Sequence, residues 1–133
     1  MKHIEVAAAV FISKGSVFCA QRKDSGELAR KWEFPGGKLE KDETPEQALK
    51  REIREELLIE IEIEEHLTTV VAYPYKTFTL TMHAYFCKIL SGEITLTEHL
   101  DSTWIPLDDI DSLDWAAADI PIIEKLKEKM LCS

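Results

Sequence analysis

Four carboxylates stand at fixed offsets in one short stretch: Glu43, Glu52, Glu55 and Glu56, within the run GKLEKDETPEQALKREIREELLI from Gly37 to Ile59. On a helix, Glu52 and Glu56 share a face, and Glu52 and Glu55 nearly do. Like charges at that spacing repel by roughly a few tenths of a kcal/mol per exposed pair, so something should offset them. Arg51 and Arg54 can neutralise part of the charge. A divalent cation would neutralise more, and carboxylate oxygens are what Mg2+ and Mn2+ prefer. An ion held this way can sit against a phosphate chain and lower the pKa of a bound water. Taken alone, the same glutamates read as a solvated helix face. The loop before them favours the chemical reading. Gly36-Gly37 lets the backbone turn tightly and approach a ligand, and its carbonyls can also ligate metal. Glu43 can reach back across that loop or toward the helix carboxylates.

Those side chains need a helix with a defined start. Thr44 is a good N-cap, Pro45 fits the first helical position, and Gln47 completes a capping box with Thr44. The spacing predicts a helix over Thr44 to Leu57, with Ala48, Leu49, Ile53 and Leu57 as its apolar stripe. Upstream, Ile4 to Ile12 and Val17 to Gln21 read as strands around a turn at Ser13 to Ser16. Asp24 to Lys31 reads as an exposed loop, and Trp32 to Phe34 as a short strand stopped by Pro35-Gly36-Gly37. Downstream, Ile59 to Ile63, Leu67 to Tyr73 and Thr77 to Ile89 read as strands. In the last of these, Phe78, Leu80, Met82, Ala84 and Phe86 fall on one face. Trp104 and Ile105 form a short strand before Pro106. Leu107 to Ile110 reads as a helical turn and Pro121 to Met130 as a helix with Ile122, Ile123 and Leu126 inward. Mixed strands with two separated helices predict an α/β fold with helices on both faces of a mixed sheet.

Composition bounds the function classes. A chain of 133 residues, 45% hydrophobic, fits a single domain over 1–133. No apolar run is long enough to span a membrane, and the start leads into a hairpin rather than a cleavage site, so the cytoplasm is the expected location. A net charge of -9 repels nucleic acid polymers. It does not exclude a single free nucleotide, because a bound metal ion inverts the local field. Cys19, Cys87 and Cys132 lie far apart without metal spacing, which disfavours disulfides and zinc. Cys19 and Cys87 are expected as buried thiols.

The acidic stretch resembles the signature of the Nudix hydrolases. Gly37, Glu43, Arg51, Glu52, Ile53, Glu55, Glu56 and Ile59 fill its places, with Leu58 where the signature has a second glycine. The entry Glu33-Phe34-Pro35-Gly36-Gly37-Lys38 and the chain's size are similar to the MutT-type pyrophosphohydrolases of that family. The resemblance implies an α/β/α sandwich. It also implies metal-dependent hydrolysis of (deoxy)nucleoside triphosphates to nucleoside monophosphate and pyrophosphate, with Mg2+ or Mn2+ as cofactor. Glu52, Glu55, Glu56 and the Gly36 carbonyl resemble the family's metal ligands. Glu43 is a ligand to a second metal or a loop anchor. Arg51 is expected to orient Glu43 or a neighbouring carboxylate. Arg22 is a candidate for gripping phosphate, or a surface arginine. Glu98 is the late-loop candidate for general base, or part of an exposed polar loop; His99 is a lesser candidate. Leu58 at the glycine position would cost roughly 1–2 kcal/mol in a left-handed exit, or the exit differs.

Base selection needs other residues. Asp119 stands just before the last helix and reads either as its cap or, by the resemblance, as the group that hydrogen-bonds the base edge. An ionised Asp119 favours an amino donor such as cytosine N4; a protonated one also meets an oxidised guanine. Phe34, Tyr73, Tyr75 and Phe78 are candidates to stack on the base or to pack. Trp32 and Trp104 are expected in the core, and His3, His66 and His83 as structural or exposed. The implied substrates are cytidine-type triphosphates or oxidised dGTP, the latter serving nucleotide-pool sanitation and so DNA repair. Hydrolysis of ADP-ribose or another diphosphate conjugate is the alternative, and a non-catalytic nucleotide-binding domain a third reading. A monomer or homodimer is expected.

Overall fold

The structure, a computed structural model, describes residues 2–131. Seven strands among them build one mixed sheet: β1 (Lys2–Ser13), β2 (Ser16–Gln21), β3 (Trp32–Glu33), β4 (Gly36–Lys38), β5 (Glu60–Pro74), β6 (Phe78–Ser91) and β7 (Asp101–Pro106). Along the main path the order is β3-β2-β1-β6-β5, with β4 pairing β1 and β7 pairing β2. Strands β1 and β6 run parallel from Lys2 opposite Phe78 to Phe11 opposite Cys87; the other pairs are antiparallel.

Side-chain alternation along β1 supplies both layers. Ala8 and Val10 face one core, with Leu80, Met82 and Ala84 of β6. Ala7, Ala9 and Phe11 face the other, with Tyr85 and Cys87. Helix α1 (Pro45–Leu57) covers the second through Leu49, Ile53 and Leu57, and helix α2 (Ile120–Leu131) covers the first through Ile122, Ile123 and Leu126. The helices thus lie on opposite faces of the sheet, the α/β/α arrangement expected. The small alanines of β1, weak strand formers, let other backbone come close: a Cβ on Gly36 would meet the Ala7 carbonyl oxygen at 1.9 Å.

The start of α1 is as the sequence predicts. Gln47 N donates to Thr44 Oγ1 at 3.1 Å, and Thr44 N donates to Gln47 Oε1 at 2.9 Å. At the other end Leu58 takes the left-handed conformation (φ 58°, ψ 38°) and its N–H donates to the Arg54 carbonyl. The glycine-type exit is therefore made by a leucine, 53% exposed.

Three expectations need correction. Gly36–Lys38 is a strand paired with Val6–Ala8 of β1 and not merely a stop. Residues 60–74 form one continuous strand; the polar Glu64-Glu65-His66 interruption is absorbed by shifts of register against β6. Trp104 is 39% exposed, resting edge-on against Phe18 at 5.4 Å between ring centroids; the tryptophan buried in the core is Trp115, whose Nε1 donates to the Ile110 carbonyl at 2.7 Å. Cys19 and Cys87 are buried free thiols; Cys132 lies outside the described residues.

Candidate active site

β1 pairs with β4 at Val6–Ala8 and meets β2 only at Ile12 and Ser13. Where the strands part, a cavity of about 570 Å3 opens. One wall is acidic, with Glu52, Glu55 and Glu56 of α1 and Glu98 of the segment before β7. The opposite end is apolar, with Ile4, Val6, Phe34, Tyr75, Phe78, Leu80 and Met82, and Asp119 lies at that end. Arg22, Glu33, Gly36, Gly37 and Lys38 line the passage between them. Glu56 is 8% exposed, and its Oε1 has no hydrogen-bond partner. Burial, then Glu33, Glu52 and Glu98, push its carboxyl up to about 9, against a backbone hydrogen bond from Gly36. Burial also raises Glu52, although Arg51 opposes it. Gly37 lies against Glu52, where a Cβ would meet Oε2 at 2.3 Å.

An oxygen-only donor set with an orphaned buried carboxylate oxygen is chemistry that suits a hard divalent cation. Among the described residues the acidic groups do not already form a closed ligand set. One reason is Arg51, whose Nη1 holds Glu52 Oε1 at 2.7 Å. Arg51 also donates to Glu43 through Nε (2.8 Å) and Nη2 (2.9 Å), and to the Lys38 carbonyl at 3.0 Å. These bonds tie α1 to the glycine loop. The Arg51 hydrogen bonds and the Glu40 amide hold the Glu43 carboxyl down at about 2. Neither Glu43 nor Arg51 lines the cavity; the two side chains pair with each other beside it.

The apolar end is equally specific. Asp119 is 3% exposed, and its Oδ2 accepts from the Phe34 amide at 2.9 Å. That bond ties the loop after β3 to the start of α2. Burial, then the Glu33 charge, push the Asp119 carboxyl well above the usual carboxylate range. Tyr75 OH accepts from the Ala118 amide at 2.7 Å and its ring packs on Phe78 at 5.0 Å. Tyr73 stacks behind Tyr75 at 5.1 Å and does not line the cavity.

Of the residues singled out by sequence, the fold gathers Arg22, Phe34, Gly36, Glu52, Glu55, Glu56, Phe78, Glu98 and Asp119 on one cavity. Sequence reasoning missed Glu33. Its Oε1 accepts from Arg22 Nη1 at 2.9 Å and its Oε2 from His99 Nε2 at 2.9 Å. The signal available was a carboxylate inside an otherwise aromatic strand, Trp32-Glu33-Phe34.

Comparison with known proteins agrees with this geometry. Residues 7–125 match the NUDIX domain family. The CTP pyrophosphohydrolase of Escherichia coli K12 is 36% identical over 124 residues, covering 93% of this chain and 91% of that protein. The 8-oxo-dGTP diphosphatase of the same organism is 31% identical over 130 residues, covering 96% and 98%. The crystal structure of a MutT NUDIX hydrolase from Burkholderia pseudomallei superposes with a TM-score of 0.84 at 26% identity, covering 94% of this chain and 98% of that one. With the signature glutamates Glu52, Glu55 and Glu56 on one cavity wall and its matching sandwich, the chain belongs to the Nudix hydrolase family.

Proposed function

We propose that this chain hydrolyses (deoxy)nucleoside triphosphates to nucleoside monophosphate and pyrophosphate with Mg2+ or Mn2+. One observation carries the reading: a single cavity joins an acidic wall to an aromatic chamber with a buried carboxyl at its end. That shape suits a ligand with a polyphosphate at one end and a base at the other. The names of the two Escherichia coli relatives support the same substrate class.

Glu52, Glu55, Glu56 and the Gly36 carbonyl would hold the metal. Bound there, it supplies charge neutralisation of phosphate oxygens and a more acidic water. The remaining work belongs to the chain. Arg51 orients Glu52 and anchors Glu43. Arg22 faces the passage with donors for a phosphate. Glu98 stands at the acidic wall as the candidate to take a proton from water. Phe34, Tyr75 and Phe78 offer ring faces and edges to the base. A protonated Asp119 can donate and accept at the base edge, which suits an oxidised guanine; the ionised form suits the cytosine amino group. Residues 1–133 act as a single domain on free cytoplasmic nucleotides, as monomer or homodimer, serving nucleotide-pool sanitation where the substrate is oxidised.

The test is a turnover panel of canonical, methylated and oxidised triphosphates, with ADP-ribose included, in Mg2+ and in Mn2+. Turnover of one or more triphosphates above ADP-ribose supports the reading. ADP-ribose as the sole substrate contradicts it.

A further inference from the structure

We propose that His99 is a positioning residue that, through Glu33, sets both Arg22 and Glu98; this rests on the functional reading above. His99 is nearly absent from the surface, with 4% of its side chain exposed, yet it packs next to charge. A second cavity of about 150 Å3 is lined by Arg22, Glu33, Glu56, Glu98 and His99. The Glu33 carboxylate is divided between two donors, Oε1 to Arg22 Nη1 and Oε2 to His99 Nε2, each at 2.9 Å. A carboxylate left with an arginine alone tends to take two parallel N–H donors. By occupying Oε2, His99 prevents that, so the other guanidinium donors stay free for the cavity.

The same bond fastens the segment that carries Glu98. On one side, Thr97 N donates to the Glu56 carbonyl at 3.1 Å and Thr97 Oγ1 to the Glu55 carbonyl at 2.8 Å. On the other, Leu100 N donates to the Gln21 carbonyl at 3.0 Å. Those backbone bonds set where the segment runs, and the His99 side chain, the next along from Glu98, adds a third tie, to β3. Donation from Nε2 to a carboxylate requires a proton on Nε2, so the Nδ1–H tautomer cannot make this bond. The buried Nδ1 has no partner. A ring placed only to fill space would need no such proton.

The test uses His99→Phe, which keeps an aromatic ring and removes the donor, and His99→Gln, which keeps an N–H at similar reach. Steady-state kinetics with the best triphosphate are paired with nitrogen NMR of the imidazole in the metal-free protein. The role predicts a proton on Nε2 in wild type. It predicts a loss of roughly 10–100-fold in kcat/KM for His99→Phe, shared between KM through Arg22 and kcat through Glu98, and substantial recovery in His99→Gln. Adding His99→Phe to Glu33→Ala should then cost little more, because the bond that His99 makes is already gone. An Nδ1–H tautomer in an active wild type overturns the role, as does wild-type kinetics in His99→Phe or a His99→Gln no better than His99→Phe. A wild type with a proton on Nε2 but no triphosphate turnover overturns the functional reading, and the role falls with it.

Discussion

At the scale of single residues, the weight falls on Glu56, a carboxylate that is buried, surrounded by like charge and short of a partner. Its carboxyl titrates at about 9 against an ordinary value of 4.5. Between those values the folded protein holds a proton that the unfolded chain has lost, so this group's contribution to stability falls as pH rises through that window. In metal-free protein, Glu56→Gln should therefore melt above wild type at about pH 8, and the difference should shrink toward about pH 5; thermal denaturation at both values checks this. The same variant should lose turnover by about 100-fold or more. Asp119→Ala should flatten the ranking of bases by roughly 10-fold or more, with little change in metal affinity; kinetics on the substrate panel and calorimetry with Mn2+ separate the two. The glutamates were legible because their spacing is local and helical. Asp119 was legible only as two alternatives, and its bond to the Phe34 amide, 85 positions away in the chain, shows why no local pattern could choose between them. Glu33 carried a sequence signal but no legible role, for the same reason: its partners Arg22 and His99 converge on it from other elements.

At the scale of elements, α1 shows how much a capped helix with a tight entry can specify. Its start was readable to the residue because Thr44, Pro45 and Gln47 each satisfy a known need of a helix N-terminus. Its exit carries the strain of a left-handed leucine. Leu58→Gly should raise stability by about 1 kcal/mol, less whatever backbone entropy glycine loses on folding, and chemical denaturation measures the gain. At its entry, Gly37→Ala would put a methyl group where Glu52 Oε2 stands, 2.3 Å from the new carbon. Far-UV circular dichroism should stay close to wild type while turnover collapses, because Glu52 must move. The strands were less readable. Glu64, Glu65 and His66 break the apolar pattern of β5, and only pairing with β6 carries the strand through them. β4 is three residues of glycine and lysine, invisible to periodicity and defined by the backbone of β1. Trp104 was placed in the core on residue type, whereas its position in β7 leaves part of the ring on the surface.

At the scale of the whole molecule, the parting of β1 from β2 turns a two-faced sandwich into a site. The acidic edge of α1 belongs to one layer, and Asp119, at the start of α2, to the other. A cavity of about 570 Å3 puts both within reach of one ligand. The net charge of -9 makes the protein a poor partner for polyanions unless cations intervene. Triphosphate turnover should therefore vanish with a chelator and return with Mg2+ or Mn2+. The general architecture could be anticipated from alternation and from the separation of the two helices, but the gap between the strands could not, because it depends on which partner each stretch of β1 pairs with. The most direct measurement of the central claim is phosphorus NMR of the products formed from a turned-over nucleoside triphosphate in the presence of Mg2+. Nucleoside monophosphate with pyrophosphate is the predicted outcome; nucleoside diphosphate with orthophosphate, or equal turnover after chelation, would contradict it.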